Sequence, residues 1–189
     1  MLVHKGTIML TTPRLVLRRL AIDDAQAMYE NWASDEAVTK YMSWDVHESV
    51  EVTRDILSKW IADYEKPDYY HWAIEYENTL IGTIGLNAVN TTHERCEMGY
   101  CIGTKWWNQG LVTEAVGEVI RFVFEDLNGN KVCALYDVQN PGSGRVMQKN
   151  GMKQEGLLRE QNIRKDGTRG DIAYYAIIRS EWDNGKNGA

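Results

Sequence analysis

A mixed α/β (α+β) domain built on a mostly antiparallel sheet is the fold class that this sequence predicts, and three observations predict it. From His71 onward, apolar residues recur with period two through three strand-like runs joined by short turns, the mark of antiparallel pairing. An amphipathic helical run then leads to a continuous apolar strand at Lys131–Val138, the spacing of a crossover between parallel neighbours. The chain closes on two more alternating runs around Asp166-Gly167, a hairpin turn. Its 189 residues suit one domain, 1–189, and 43% apolar content supports a core. No internal repeat or Pro/Ser-rich linker divides it.

The elements follow in order. Leu15, Leu17 and Leu20 among Arg14, Arg18 and Arg19 read as an opening strand. Asp23 is expected to cap a helix whose apolar face carries Ala27, Met28 and Trp32. Ser34 or Asp35 starts a second short helical piece ending near Met42. Asp45 and Glu48 form a capping-box pattern ahead of Val46, Val50, Leu57, Trp60, Ile61 and Tyr64 at helical spacing, with Pro67 as the stop. Trp72–Tyr76, Leu80–Val89 and Arg95–Ile102 are the three alternating strands, with turns at Asn78 and Asn90–Glu94. Val112–Leu127 is a helix with Ala115, Val119, Phe122 and Val123 inward, ended by Asn128-Gly129-Asn130 in a left-handed cap. Lys131–Val138 should lie beside Arg95–Ile102. Asn140 caps a further helix with Pro141 in its first turn, and Gly151 closes it. Lys153–Ile163 and Thr168–Arg179 make the last hairpin, and Asn184–Ala189 reads as a frayed end. The sheet therefore has about seven strands.

A net charge of −6 disfavours nucleic acid or an anionic membrane as a generic partner. Cys96, Cys101 and Cys133 are odd in number, sit in apolar strand-like runs and lack metal-ligand spacing. They read as reduced, buried thiols of a cytoplasmic protein, with no metal. No leader-like N-terminus and no run of ~20 apolar residues is present.

The stretch Gly103–Ala115 carries the first suggestion of a ligand. A strand ends there in a loop holding Gly103 and Gly110, and a helix begins near Thr113. Bare backbone N–H groups at a helix start, with the positive end of the dipole, make a phosphate cradle in outline. The plain alternative is an ordinary strand–helix loop with Trp106 and Trp107 packed into the core. Asn140 and Ser143 at the next strand–helix junction favour the ligand.

Glu97–Ala115 and Asn140–Met152 together resemble the GNAT superfamily of N-acetyltransferases. The whole chain, over about residues 8–182, resembles its RimJ/RimL branch of ribosomal-protein N-terminal acetyltransferases. The resemblance rests on Thr12-Pro13-Arg14-Leu15 with Leu17-Arg18, on Tyr41-Met42-Ser43-Trp44, and on the Glu-x-Gly-Tyr strand at Glu97-Met98-Gly99-Tyr100. It rests also on the Asn-x-x-Ser helix start at Asn140-Pro141-Gly142-Ser143, followed by Arg145-Val146-Met147 and Lys149-Asn150-Gly151-Met152.

That resemblance implies a GNAT fold with helices on both faces and a splayed parallel pair, here the strands ending at Ile102 and Val138. It implies acetyl-CoA as cosubstrate and direct acetyl transfer to a primary amine in a ternary complex. The pantetheine arm would lie in the strand gap. The pyrophosphate would sit on the N–H groups of Trp107, Asn108, Gln109, Gly110, Leu111, Val112 and Thr113. Asn140 would bond the pantetheine amide, or only cap its helix. Ser143 would protonate the leaving thiolate, or remain a solvated helix serine. A free N–H near Cys101 or Ile102 would serve the oxyanion. A homodimer is implied as well. The chain departs from the family pattern in the loop, where the anchors are usually Gln/Arg, Gly and Gly/Ala. Here they are Trp107, Gly110 and Val112, and a valine narrows the allowed backbone beside the phosphates.

An α-amino acceptor, with a pKa near ~7.7–8.0, needs only a modest base, whereas a lysine amine near ~10.4 needs more. Glu97, on the strand beside the expected thioester, is the first candidate; the alternative is a surface carboxylate or an arginine's partner. Glu160 is the second, although some relatives carry the glutamate where this chain has Asn162. Cys101 reads as a structural thiol, and His47 and His71 as packing or surface residues. Tyr41, Trp44, Tyr69 and Tyr70 either wall the acceptor groove or pack in the core. The reading is an acetyl-CoA-dependent N-acetyltransferase acting first on a protein N-terminus. A small-molecule amine acceptor (polyamine, amino acid or drug), or an acyl-CoA-binding module without turnover, are its alternatives.

Overall fold

The computed structural model describes residues 1–187. The period-two runs become β3 (His71–Tyr76), β4 (Thr79–Asn90) and β5 (Arg95–Ile102), paired antiparallel in sequence order. Glu77 and Asn78 both take positive φ, 49° and 60°, which turns the chain tightly between β3 and β4. With β1 (Leu10–Thr11), β2 (Leu15–Arg18), β6 (Lys131–Asp137), β7 (Lys153–Ile163) and β8 (Arg169–Ile178), the sheet has eight strands in the order β1-β2-β3-β4-β5-β6-β8-β7. The strand beyond the expected seven is β1, two residues long and too short to show a period.

β5 and β6 form the parallel pair, and their pairing is short. It runs from Arg95 opposite Lys131 to Met98 opposite Ala134 and goes no further, although both strands continue. The two strands part beyond Met98. Side chains on successive β5 residues face opposite sides of the sheet. Cys96, Met98 and Ile102 join the larger core under α4 (Leu111–Arg121) and α5 (Pro141–Lys149). Cys101 packs against the smaller core on the other face. That core lies under α1 (Ala25–Met28), the wider helical turn Tyr29–Ala33, α2 (Glu36–Thr39) and α3 (Val50–Asp63).

Several boundaries differ from expectation. The turn is held by Asp24 rather than Asp23: Asp24 accepts from the Ala21 N–H at 2.7 Å and is itself held by Arg18 at 2.8 Å. Asp35, not Ser34, caps α2, which ends at Thr39. The Asp45–Glu48 box does not form. His47 is buried, with Nδ1 2.8 Å from Thr53 Oγ1, which keeps Val46 and His47 outside the helix, and Ser49 caps α3. After α4 the left-handed residue is Asn128 at φ 56°, while Gly129 is needed for space, since a Cβ there would stand 2.7 Å from Val123 Cγ1. The end expected to fray is helical from Arg179 to Asn187 as α6; residues 188–189 of that expectation lie outside the described residues. No helix among the described residues is long and apolar enough to cross a membrane.

Candidate active site

The junction from β5 to α4 offers main chain. Gly110 sits at the helix start with φ 76°, and no side chain caps it. The first turn closes with the Glu114 N–H on the Gly110 carbonyl at 3.0 Å, so the N–H groups of Leu111, Val112 and Thr113 precede the helical ladder. Left-handed conformation falls on Asn108 (φ 60°) and Gly110, whereas Val112 is helical and packs against the larger core. The valine's restricted backbone is therefore no obstacle at this turn.

Remote residues brace this loop. Glu114 accepts from Thr12 Oγ1 at 2.6 Å and from Arg14 Nε at 2.7 Å, and Arg14 Nη1 donates to the Gln109 carbonyl at 3.1 Å. Burial raises the Glu114 pKa, but the hydrogen bonds from Thr12 and Arg14 outweigh it and hold the carboxyl below its ordinary range. The Thr-Pro-Arg opening thus acts as a clamp on the α4 start. Gly103 permits close approach, since a Cβ would lie 2.2 Å from the Asn31 carbonyl. Trp106 packs on the core, while Trp107 is 45% exposed and donates its indole N–H to the Ile102 carbonyl at 2.9 Å.

The junction from β6 to α5 offers side chains. Asn140 caps α5 by accepting from the Ser143 N–H, and Pro141 occupies the first turn. Ser143 meets Tyr100 of β5, whose hydroxyl lies 3.0 Å from Ser143 Oγ and 3.2 Å from the Ser143 carbonyl. Gly144 lets α5 rest on Tyr136 of β6; a Cβ there would stand 2.5 Å from Tyr136 Cζ. At the end of β6, Asp137 takes a two-pronged bond from Arg164, at 2.7 and 2.9 Å. Burial raises the Asp137 pKa, but Arg164 and the Gln139 N–H together hold it below the usual carboxylate range.

Between the junctions lies the parted end of the parallel pair. The Gly103 N–H donates to the Ile81 carbonyl of β4, so by alternation the Cys101 main chain also points to β4. The main-chain groups of Tyr100 and Ile102 point into the gap instead. A continuous cavity of about 800 Å³ joins Gly110, Ile102, Tyr100, Ser143 and Asn140 to Glu97. Glu97 alternates with Met98 and Tyr100, so it rises on the face of α1–α3, where Tyr41 also lines the cavity. Cys101, Trp107, Asn108, Leu111, Val112 and Thr113 border the same space.

Other expected residues lie elsewhere. The Gln109 side chain turns away to the Lys105 carbonyl at 2.9 Å. Glu160 sits at φ 52° where the β7–β8 register slips, 3.6 Å from Arg169 and in a separate depression beside Leu157 and Leu158. Trp44 packs on the smaller core, and Tyr70 is 1% exposed within the larger one. The Cys101 thiol lies 3.4 Å from Thr83 Oγ1, and burial raises its pKa. His71 is wedged against Trp60, and burial pushes it down to about 4. Tyr100 stands in the Glu-x-Gly-Tyr strand motif, and its alternation with Met98 and Ile102 turns it to the α4–α5 face, but its meeting with Ser143 is not legible in the sequence. Sequence reasoning passed over the Asp137–Arg164 pair, which no spacing along the chain announces.

Comparison with known proteins agrees with this geometry. Residues 14–153 match the family model described as an acetyltransferase (GNAT) domain. The uncharacterised N-acetyltransferase YoaA of Bacillus subtilis (strain 168) is 34% identical over 172 residues, covering 90% of this chain and 96% of that protein. The [ribosomal protein uS5]-alanine N-acetyltransferase of Escherichia coli (strain K12) is 27% identical, covering 95% of each. A crystal structure of a GNAT-family acetyltransferase from Bacillus anthracis superposes with a TM-score of 0.80 at 26% identity, covering 92% of this chain and 99% of the other. With its parted parallel pair, its open α4 start and these relatives, the chain belongs to the GNAT family of acetyltransferases, which draw their acetyl group from acetyl-CoA.

Proposed function

We propose that this enzyme acetylates the α-amino group at a protein N-terminus, by direct attack of the amine on acetyl-CoA in a ternary complex. The observation that carries this reading is the single cavity that links the uncapped α4 start, through the strand gap, to Glu97 on the opposite face. The similar uS5-alanine enzyme supports an N-terminal acceptor.

In this reading the N–H groups of Leu111–Thr113 hold the pyrophosphate, aided by the helix dipole at about 0.3–1 kcal/mol. The main chain of Tyr100 takes the pantetheine amides as an added strand would. Asn140 contributes from the α5 side, and the Ile102 N–H faces the carbonyl oxygen as charge develops on it. Glu97 receives the amine proton, directly or through one water. A nitrogen–carbon bond forms and the carbon–sulfur bond breaks, with its electron pair leaving on sulfur. The Ser143 hydroxyl, on the opposite face of the sheet from Glu97, gives its proton to the departing sulfur.

Thiol release from acetyl-CoA tests the proposal against three acceptors: peptides with a free N-terminus, the same peptides N-terminally blocked but bearing lysine, and small amines. Turnover with the free N-termini alone is expected. Turnover with small amines alone would overturn the acceptor assignment. Tight CoA binding without turnover above hydrolysis on any amine would overturn the enzyme itself.

A further inference from the structure

Ser143 does not hold its hydroxyl alone. Tyr100 reaches it from β5 across the gap, two positions past the last residue paired with β6. The tyrosine's one proton has two acceptors within reach, Ser143 Oγ at 3.0 Å and the Ser143 carbonyl at 3.2 Å. The two placements differ in what they leave the serine. With the tyrosine proton on the carbonyl, the serine O–H turns toward the tyrosine oxygen. With that proton on Oγ, the serine's own proton is free to point into the cavity. Rotation about the tyrosine Cζ–Oη bond exchanges them.

We infer that Tyr100 is a positioning residue that aims the Ser143 proton at the departing sulfur. This rests on the role proposed for Ser143 above. The surroundings make Tyr100 suited to the task. Burial pushes its hydroxyl up to about 12, so it remains a donor at neutral pH. Its partner is tied at two points: the Ser143 N–H donates to Asn140, and Gly144 seats the helix on the Tyr136 ring. Tyr100 of β5 bonds the serine itself, while Tyr136 of β6 lies against the next residue, Gly144. As the carbon–sulfur bond breaks, the tyrosine donates to Oγ and the serine donates to the sulfur. The serine takes a proton back from water in the cavity and Glu97 gives the amine proton up to water, so the amine loses one proton, the thiolate gains one and both residues return to their starting state.

Tyr100→Phe keeps the ring and removes the hydroxyl. Its kcat is expected to fall roughly tenfold, the worth of one hydrogen bond, with the KM for acetyl-CoA unchanged and the melting temperature lowered only slightly. Ser143→Ala is expected to fall about a hundredfold, and the double variant to be no slower than Ser143→Ala, because the tyrosine acts through the serine. A full-rate Tyr100→Phe beside a slow Ser143→Ala overturns this inference alone, as does a double variant in which the two losses multiply. A full-rate Ser143→Ala overturns the serine's role itself. If Tyr100→Phe does not fold, a fluorinated tyrosine at position 100 changes only the hydroxyl's acidity. Its kcat is expected to respond with Ser143 present and not in Ser143→Ala; a response in both, or in neither, overturns the inference.

Discussion

The two strand–helix junctions that flank the gap are built from different materials. The β5–α4 junction presents main-chain N–H groups and leaves its helix uncapped. The β6–α5 junction presents side chains, with Asn140 closing the cap and Ser143 one turn behind it. Each is steadied by an arginine–carboxylate pair from a distant segment. Arg14–Glu114 is partly exposed, with side chains at 42% and 18%, while Arg164–Asp137 is nearly dry at 10% and 2%. The difference teaches where substitution is tolerated. In the proposed reading, a main-chain cradle depends on backbone conformation and accepts Trp107 and Val112 in place of the usual anchors. A side-chain site depends on the placement of individual atoms and accepts little.

The largest effect is therefore expected at the second junction. In Gly144→Ala, the added carbon meets the Tyr136 ring and α5 must move. An overpacked contact of this kind costs about 1–3 kcal/mol. Misplacing Ser143 by about 1 Å should lower kcat roughly a hundredfold. Urea unfolding and steady-state kinetics report the two effects separately, and an unaltered kcat would show that the α5 start need not be seated on β6.

At the first junction the corresponding substitution acts through conformation alone. Gly110 has φ 76°, and the nearest atom to an added Cβ is Arg14 Nη2 at 3.6 Å. Strain of about 1–2 kcal/mol in the left-handed region should raise the KM for acetyl-CoA about tenfold in Gly110→Ala and leave kcat alone. A fall in kcat with KM fixed would remove Gly110 from the phosphate cradle.

Smaller still is the brace. Glu114 has its folded pKa depressed, so its stabilisation is complete above the unfolded value of about 4.3 and is lost as pH falls through the lower folded one. Glu114→Gln should flatten that acid limb in thermal melts between neutral and acid pH, and raise the acetyl-CoA KM by a factor of about two or three, in keeping with a part-exposed ion pair. An acid limb identical to that of the natural chain would deny Glu114 this part. The smallest effect is expected for Val112→Ala, whose KM should change by less than about twofold because the donors are main chain. A tenfold change would mean that the side chain matters after all.

The same contrast explains what could be read before the fold was known. Period-two runs, the crossover helix and the Asn140 cap are local signals, and their elements lie within a few residues of expectation. Gly110 was legible because only glycine takes its conformation without strain. The long-range contacts were not. Tyr70 and Tyr41 could each wall the groove or pack in the core, and only the fold separates them: one is in the core and the other lines the cavity. Glu160 was expected as a second base on the strand at Lys153–Ile163, but the β7–β8 register slip takes it to a separate depression. The Asp45–Glu48 pattern satisfied the capping rule, but His47 is drawn inward by Thr53, a contact that no helix pattern encodes. Arg164 lies 27 positions from Asp137, and only the β7–β8 hairpin brings them together.

Titration of the protein with CoA, followed by the backbone amide signals in solution, tests most directly the claim that one ligand spans both junctions. Shifts are expected at Tyr100, Ile102 and Leu111–Thr113 together with Asn140–Ser143, all saturating at one CoA concentration. Binding that moves the amides of only one junction, or of neither, would contradict it.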